Sequence, residues 1–175
     1  LTPDYKRYKK WKALLKRKEN HKLVAIHWQG NPKFEEKLYS SGRSMKLKDL
    51  RNLGDLKNIE YISIQKNEGV EQIDRNSDLH FVEGQKDFDK TMDFRDTAAV
   101  LANCDLLISS DSSVVHLAGA MGVPVWIALS WIPEWRWGLN GTKSIWYESA
   151  VLFRQSEPGN WVHVVKNIKS KLLKI

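Results

Sequence analysis

Short apolar runs alternate with longer stretches in which apolar positions recur at helical spacing. Leu23-Val24-Ala25-Ile26-His27-Trp28 is apolar and rich in β-formers, and predicts a buried strand. Tyr61-Ile62-Ser63-Ile64, Leu79-His80-Phe81-Val82, Asp105-Leu106-Leu107-Ile108-Ser109, Val125-Trp126-Ile127-Ala128-Leu129 and Val151-Leu152-Phe153 read the same way. Between them lie helical segments: a short helix over 47–56, one or two turns over 68–73, and a helix capped by Asp93 or Asp96 that runs to Asn103. A further helix spans Ser112 to Met121, closed by Gly122 with Pro124 beyond it, and a last one spans Trp161 to Leu173. Alternation of this kind predicts an α/β domain. The expected architecture is a Rossmann-like, open, mainly parallel sheet of about six strands with helices on both faces. Ligands of such sheets sit beyond the carboxyl ends of the strands.

Charge divides the chain. Residues 1–22 carry nine basic and two acidic groups, and the remainder is balanced, so the arm holds the whole net charge of +7. Within it, Tyr8, Trp11 and Leu15 form one apolar helical stripe, suited to packing on its own domain or on a neighbour. The expected organisation is a basic N-terminal helix or linker over 1–22 and one α/β domain over 23–175. A basic arm can follow a phosphate backbone. The neutral body offers no continuing basic groove, which argues against nucleic acid.

Other features narrow the class. The 175 residues suffice for one self-supporting core. No apolar run approaches the ~20 residues of a membrane span. No apolar h-region opens the chain, and the single cysteine, Cys104, excludes an internal disulfide, so a cytoplasmic setting is expected. A start at Leu1 suggests a piece of a longer protein. Neither G-x-G-x-x-G nor G-x-x-x-x-G-K-[ST] occurs, which argues against ordinary dinucleotide binding and P-loop chemistry.

The candidate chemistry centres on Ser109-Ser110-Asp111-Ser112-Ser113, a turn from a buried strand into a helix. Asp111 is placed to cap that helix. The N–H groups of Ser112, Ser113 and Val114 would then face outward with the positive end of the helix dipole, a site suited to phosphate. His116 lies one turn on. A well-capped helix start without a ligand has the same pattern. Trp131, Trp135, Trp137 and Trp146 crowd one loop, where they can stack on a ligand or fill a gap in the packing.

The run from Asp111 through His116 and Pro124 to Trp126 resembles the D-[ST]-x-x-x-H-L-A-G-A-x-G-x-P-V-W signature of heptosyltransferase-like glycosyltransferases. More narrowly, it is similar to C-terminal domains attached to tetratricopeptide repeats in bacterial proteins. Ile26-His27-Trp28-Gln29-Gly30-Asn31-Pro32, Ser63-Ile64-Gln65-Lys66, Asp93-Phe94-Arg95-Asp96-Thr97, Pro133-Glu134-Trp135-Arg136-Trp137 and Leu152-Phe153-Arg154-Gln155 match in the family's order. The resemblance implies that 23–175 is the C-terminal, donor-binding half of a GT-B fold, a nucleotide-sugar-binding domain. Its substrate would be a nucleotide-diphosphate sugar, with no cofactor and no metal.

The resemblance also implies residue roles. Asp111, Ser112 and Ser113 would hold the diphosphate and nearby sugar hydroxyls, with the motif's His116. Arg43 would reach the phosphates, and Gln29, Gly30 and Asn31 would lie beside the donor. Gln65 and Lys66 would lie near base and ribose, with Glu68 or Glu71 on ribose hydroxyls. Asp96 and Thr97 match motif positions, although capping of their own helix explains them equally. Lys46 stands where the family has proline. The general base is expected in the other GT-B half, so this chain alone would bind donor and transfer little. A catalytically silent module that binds a nucleotide sugar or a protein is the alternative.

Overall fold

Five parallel strands form one sheet in the order β2-β1-β3-β4-β5, in a computed structural model that describes residues 1–36, 42–75 and 78–175. The strands are β1 (Lys22–His27), β2 (Ile59–Ser63), β3 (Leu106–Ser110), β4 (Val125–Leu129) and β5 (Ala150–Arg154). Every strand pair is parallel. Alternate residues of β1 face opposite layers: Leu23 and Ala25 join one core, Val24 and Ile26 the other.

Helices cover both faces, as the alternation predicts. On one lie α1 (Tyr5–Leu15), α3 (Gln85–Asp89), α4 (Phe94–Leu101) and α5 (Ser113–Ala120). On the other lie α6 (Trp161–Leu172) and a 3₁₀ segment, Leu47–Leu53. A one-turn helix, α2 (Pro32–Glu35), interrupts the polar stretch that follows β1; positions 37–41 of that stretch lie outside the described residues. Residues 70–75 form a 3₁₀ turn near the one predicted over 68–73.

The strand expected over 79–82 is not among the five. Leu79 and Val82 are buried, but the segment makes only one parallel bridge, Tyr61 to Phe81, on the outer edge of β2. Val82 then accepts from Gln85 N as the chain turns into α3. The Gln85 side chain takes over the next ladder position. Its Oε1 accepts from Ser63 N at 2.7 Å and its Nε2 donates to Ser63 O at 3.1 Å. An amide side chain thus closes the sheet edge where a strand was expected.

Helix α1 packs on its own domain. Trp11 and Leu15 are buried, and Trp11 meets Phe88 edge-on at 5.5 Å between centroids. Burying two such side chains contributes about 2 kcal/mol each. The arm's charge is tied to carboxylates of the body: Arg7 to Asp93 and Asp96, Lys16 to Glu83, Arg17 to Asp105 and Lys18 to Glu60. Asp93, not Asp96, caps α4, accepting from Arg95 N at 2.9 Å.

Candidate active site at the carboxyl edge of the sheet

Strand β1 leads to β2 on one side and has β3 on the other. The crevice beyond its carboxyl end is therefore the topological switch point of the sheet. A cavity of about 540 Å³ opens there, walled by His27 at the end of β1, Ile64 just past β2 and Asp111 just past β3. Of the residues that the sequence proposes, Gln29, Gly30, Asn31, Arg43, Lys66, Glu68, Asp111, Ser112, Ser113 and His116 all line it.

Gln65 does not. It is buried behind the wall, where its Oε1 accepts from Trp28 N and Gln29 N, each at 3.1 Å. Its Nε2 donates to Gln29 O at 2.7 Å and Glu68 O at 2.9 Å. All four valences of the amide are spent joining the loops that follow β1 and β2. Glu71 accepts from Gly69 N and is absent from the wall, so Glu68 is the carboxylate on this side.

The start of α5 differs from expectation by one residue. Strand β3 runs on to Ser110, and Ser112, not Asp111, is the N-cap, in extended conformation (φ −158°, ψ 172°). Its side chain makes no capping bond to the helix; Val115 N donates to Ser112 O at 3.2 Å, which leaves the Ser113 and Val114 N–H groups for a ligand. Gly122, with φ +71°, follows the helix as predicted. Asp111 is buried beside this turn. Burial raises its pKa, opposed by the Trp137 indole, His116 and Arg43. The indole faces Asp111 without a hydrogen bond of normal geometry.

Arg43 approaches from the loop after β1. Gly30 N–H donates to Ser44 Oγ at 2.8 Å, and that hydroxyl donates to the Glu35 carboxylate. Glu35 lies 3.8 Å from Arg43 Nε, which makes no hydrogen bond among the described residues. A Cβ on Gly30 would stand 3.1 Å from the Arg43 guanidinium, so glycine lets the arginine lie across the backbone. His116 stacks on Trp137, with centroids 5.3 Å apart, and its Nδ1 lies 3.1 Å from Tyr147 Oη. Lys66 is drawn toward Phe88, donating to its carbonyl at 2.5 Å with the ammonium 3.8 Å from the ring centroid; burial lowers its pKa.

Several wall residues carry no role in the sequence reading: His27, Asn67, Met92, Phe94, Glu134 and Arg136. His27 hides inside an apolar run and reads as core. Burial pushes its pKa down to about 4, so the imidazole is neutral near pH 7. Thr97 lines the cavity, whereas Asp96 turns away to accept from Trp11 and Thr91. The tryptophans divide: Trp137 is buried, while Trp131, Trp135 and Trp146 stand half or more exposed. Among the described residues, no group of three or more His, Cys, Asp or Glu is placed to hold a metal ion. No helix among them is long and apolar enough to cross a membrane.

The sheet and the helices on both its faces define a Rossmann-like α/β domain with a cavity at its switch point. Residues 66–129 match the sequence model of Glycosyltransferase family 9 (heptosyltransferase), a stretch that includes β3, α5 and β4. The fold is that of a family 9 glycosyl transferase from Veillonella parvula (TM-score 0.66, 10% identity, 99% of this chain, 51% of that one). It is likewise that of ADP-heptose LPS heptosyltransferase II from E. coli (TM-score 0.63, 11% identity, 99% of this chain, 53% of that one). The chain spans about half the length of these solved structures. No curated protein sequence matches it significantly.

Proposed function

We propose that this chain is the donor-binding half of a glycosyltransferase of the heptosyltransferase type, and that its cavity takes a nucleotide-diphosphate sugar. One observation carries the reading: the uncapped start of α5 and the Arg43 guanidinium line a single cavity at the switch point of a parallel sheet. The family match across α5 supports it.

The residues suit the chemistry. When a glycosidic bond to a nucleoside diphosphate breaks, negative charge grows on the leaving phosphate. The first-turn N–H groups of α5 and Arg43 would meet that charge with preset dipoles and a cation. The leaving diphosphate lies at Ser112 and Ser113, and the nucleoside extends toward Lys66 and Glu68. Asp111 and His116 face the sugar. The general base comes from the half of the fold that lies outside this chain, so the isolated chain binds donor and transfers little.

A thermal-shift panel of UDP, GDP, ADP, CDP and their common sugar conjugates tests this. A ligand at ten times its dissociation constant stabilises by about 1.4 kcal/mol, a shift of roughly 3–6 °C for a domain this size. The expected result is a shift with one nucleoside diphosphate that is lost in Arg43→Ala. No shift with any nucleotide overturns the reading and favours a module that binds protein.

A further inference from the structure

We propose that His27 is a positioning residue for the diphosphate subsite: its Nδ1–H holds Ser112 Oγ so that the Ser112 hydroxyl proton is free to point at the bound anion. This deepens the donor-site reading and rests on it. His27 ends β1 opposite Ser109 on β3, so the sheet register itself brings the imidazole to the start of α5. Three contacts define the cluster. His27 Nδ1 lies 3.3 Å from Ser109 Oγ and 3.2 Å from Ser112 Oγ, and the two hydroxyls are 3.2 Å apart.

The direction of these bonds follows from proton counting. Ser109 Oγ donates its only proton to Ser110 O at 2.7 Å. Toward the imidazole and toward Ser112 it can only accept. The Ser109 contact is a hydrogen bond only with a proton on Nδ1, the tautomer that satisfies both hydroxyl contacts, and a neutral ring then leaves Nε2 bare. The Nδ1–H is shared between the two hydroxyl oxygens. Ser112, already an acceptor from His27, keeps its own proton as a donor. Its side chain makes no capping bond to the helix. In the free protein that proton has Ser109 Oγ as its neighbour; a phosphate oxygen is a stronger, charged acceptor and draws it outward. A buried neutral imidazole suits this task, since it fixes a hydroxyl without adding a charge.

Two measurements test the assignment. The first is nitrogen-15 NMR of histidine-labelled protein without ligand. The expected spectrum shows His27 protonated at Nδ1 and bare at Nε2, unchanged between pH 5.5 and 8. A proton on Nε2 with a bare Nδ1 overturns the proposal. The second is calorimetric titration with inorganic pyrophosphate and with the nucleoside diphosphates of the panel. His27→Leu is expected to weaken binding about tenfold. His27→Asn, whose amide N–H falls near the position of Nδ1, should stay within threefold of the parent. In a Ser112→Ala background His27→Leu should cost nothing more, because its effect runs through that hydroxyl. An unaffected His27→Leu, or losses that multiply in the double variant, overturns the inference while leaving the donor site standing. Failure of the parent chain to bind pyrophosphate or any nucleotide overturns the donor-site reading itself, and the NMR result still decides the tautomer.

Discussion

The Trp11 indole donates to the Asp96 carboxylate at 2.9 Å across 85 residues of chain. The same oxygen meets Arg7 at 2.7 Å, and Thr91 Oγ1 donates to the other oxygen at 2.8 Å. Burial alone would raise the Asp96 pKa, but the hydrogen bonds from Trp11, Arg7 and Thr91 outweigh it and hold it below the usual carboxylate range. A carboxylate that matched a donor-site motif thus fastens the basic helix to α4. Asp96→Ala would leave the buried Trp11 N–H without its acceptor and Arg7 with Asp93 as its remaining carboxylate. The expected loss is about 2–3 kcal/mol in urea unfolding, with Arg7→Ala in the Asp96→Ala background adding little. Equal and additive losses would show that the two act separately.

Gln65 offers a second test of structure against function. Its amide satisfies two backbone N–H donors and two carbonyls, and no direct ligand contact is needed to explain it. Gln65→Ala leaves those groups unpaired in a dry site, at an expected cost of about 2–4 kcal/mol. Loss of nucleotide affinity should accompany the loss of stability. Gln65→Glu separates the effects. It keeps one pair of acceptor bonds but cannot donate to Gln29 O or Glu68 O, so its stability should fall between parent and alanine variant. Full stability with lost binding would instead make Gln65 a ligand contact.

Gly119 sits beneath Tyr147. A Cβ there would fall 2.4 Å from the ring, so alanine must push the tyrosine off α5. Overpacking of this kind costs about 1–3 kcal/mol. Tyr147 is also the partner of His116 Nδ1, so displacing it releases the imidazole from its orientation over Trp137. Gly119→Ala should therefore lower both the unfolding midpoint and the affinity for a sugar conjugate. Affinity for the bare nucleoside diphosphate should change less, which calorimetry with the two ligands would resolve.

The periodic parts of the fold are legible in the sequence, and the parts set by single side chains are not. Strand–helix alternation gives the sheet and the faces covered by α4, α5 and α6, because burial on both faces demands those runs. The stripe through Trp11 and Leu15 is visible, but not what it packs on. Leu79 and Val82 look like a strand because they are buried; only Gln85, an unremarkable polar residue in sequence, shows that its amide ends the pairing. Asp111 reads as the cap because aspartate prefers that place. The strand outlasts the apolar run by Ser110, and the cap moves one residue on. The site is legible where polar residues break apolar runs, as at Gln29 and Asp111. It is not where a polar residue hides inside one, as His27 does.

His27 also makes stability depend on pH. Its folded pKa, about 4, lies below the value of about 6.5 expected in the unfolded chain. Between those values the unfolded chain binds a proton that the native protein refuses. Stability must then fall as pH drops from about 6.5 to 4, with a slope approaching 1.4 kcal/mol per pH unit. Other titrating groups of the domain must be separated from it. Asp111, with its pKa raised by burial, works in the opposite sense: acidification protonates the native carboxyl first and relieves a cost. Asp96, with its pKa lowered, loses its contribution only as pH falls below the usual carboxylate range. His116 and Arg43 also face the cavity. The difference between parent and His27→Asn cancels these shared contributions. That difference, from urea unfolding at half-unit steps of pH, should be flat above pH 7. It should shift in favour of the variant as pH falls toward 4. A difference that stays constant across the window would mean that the imidazole titrates normally, with water reaching it behind Ser112.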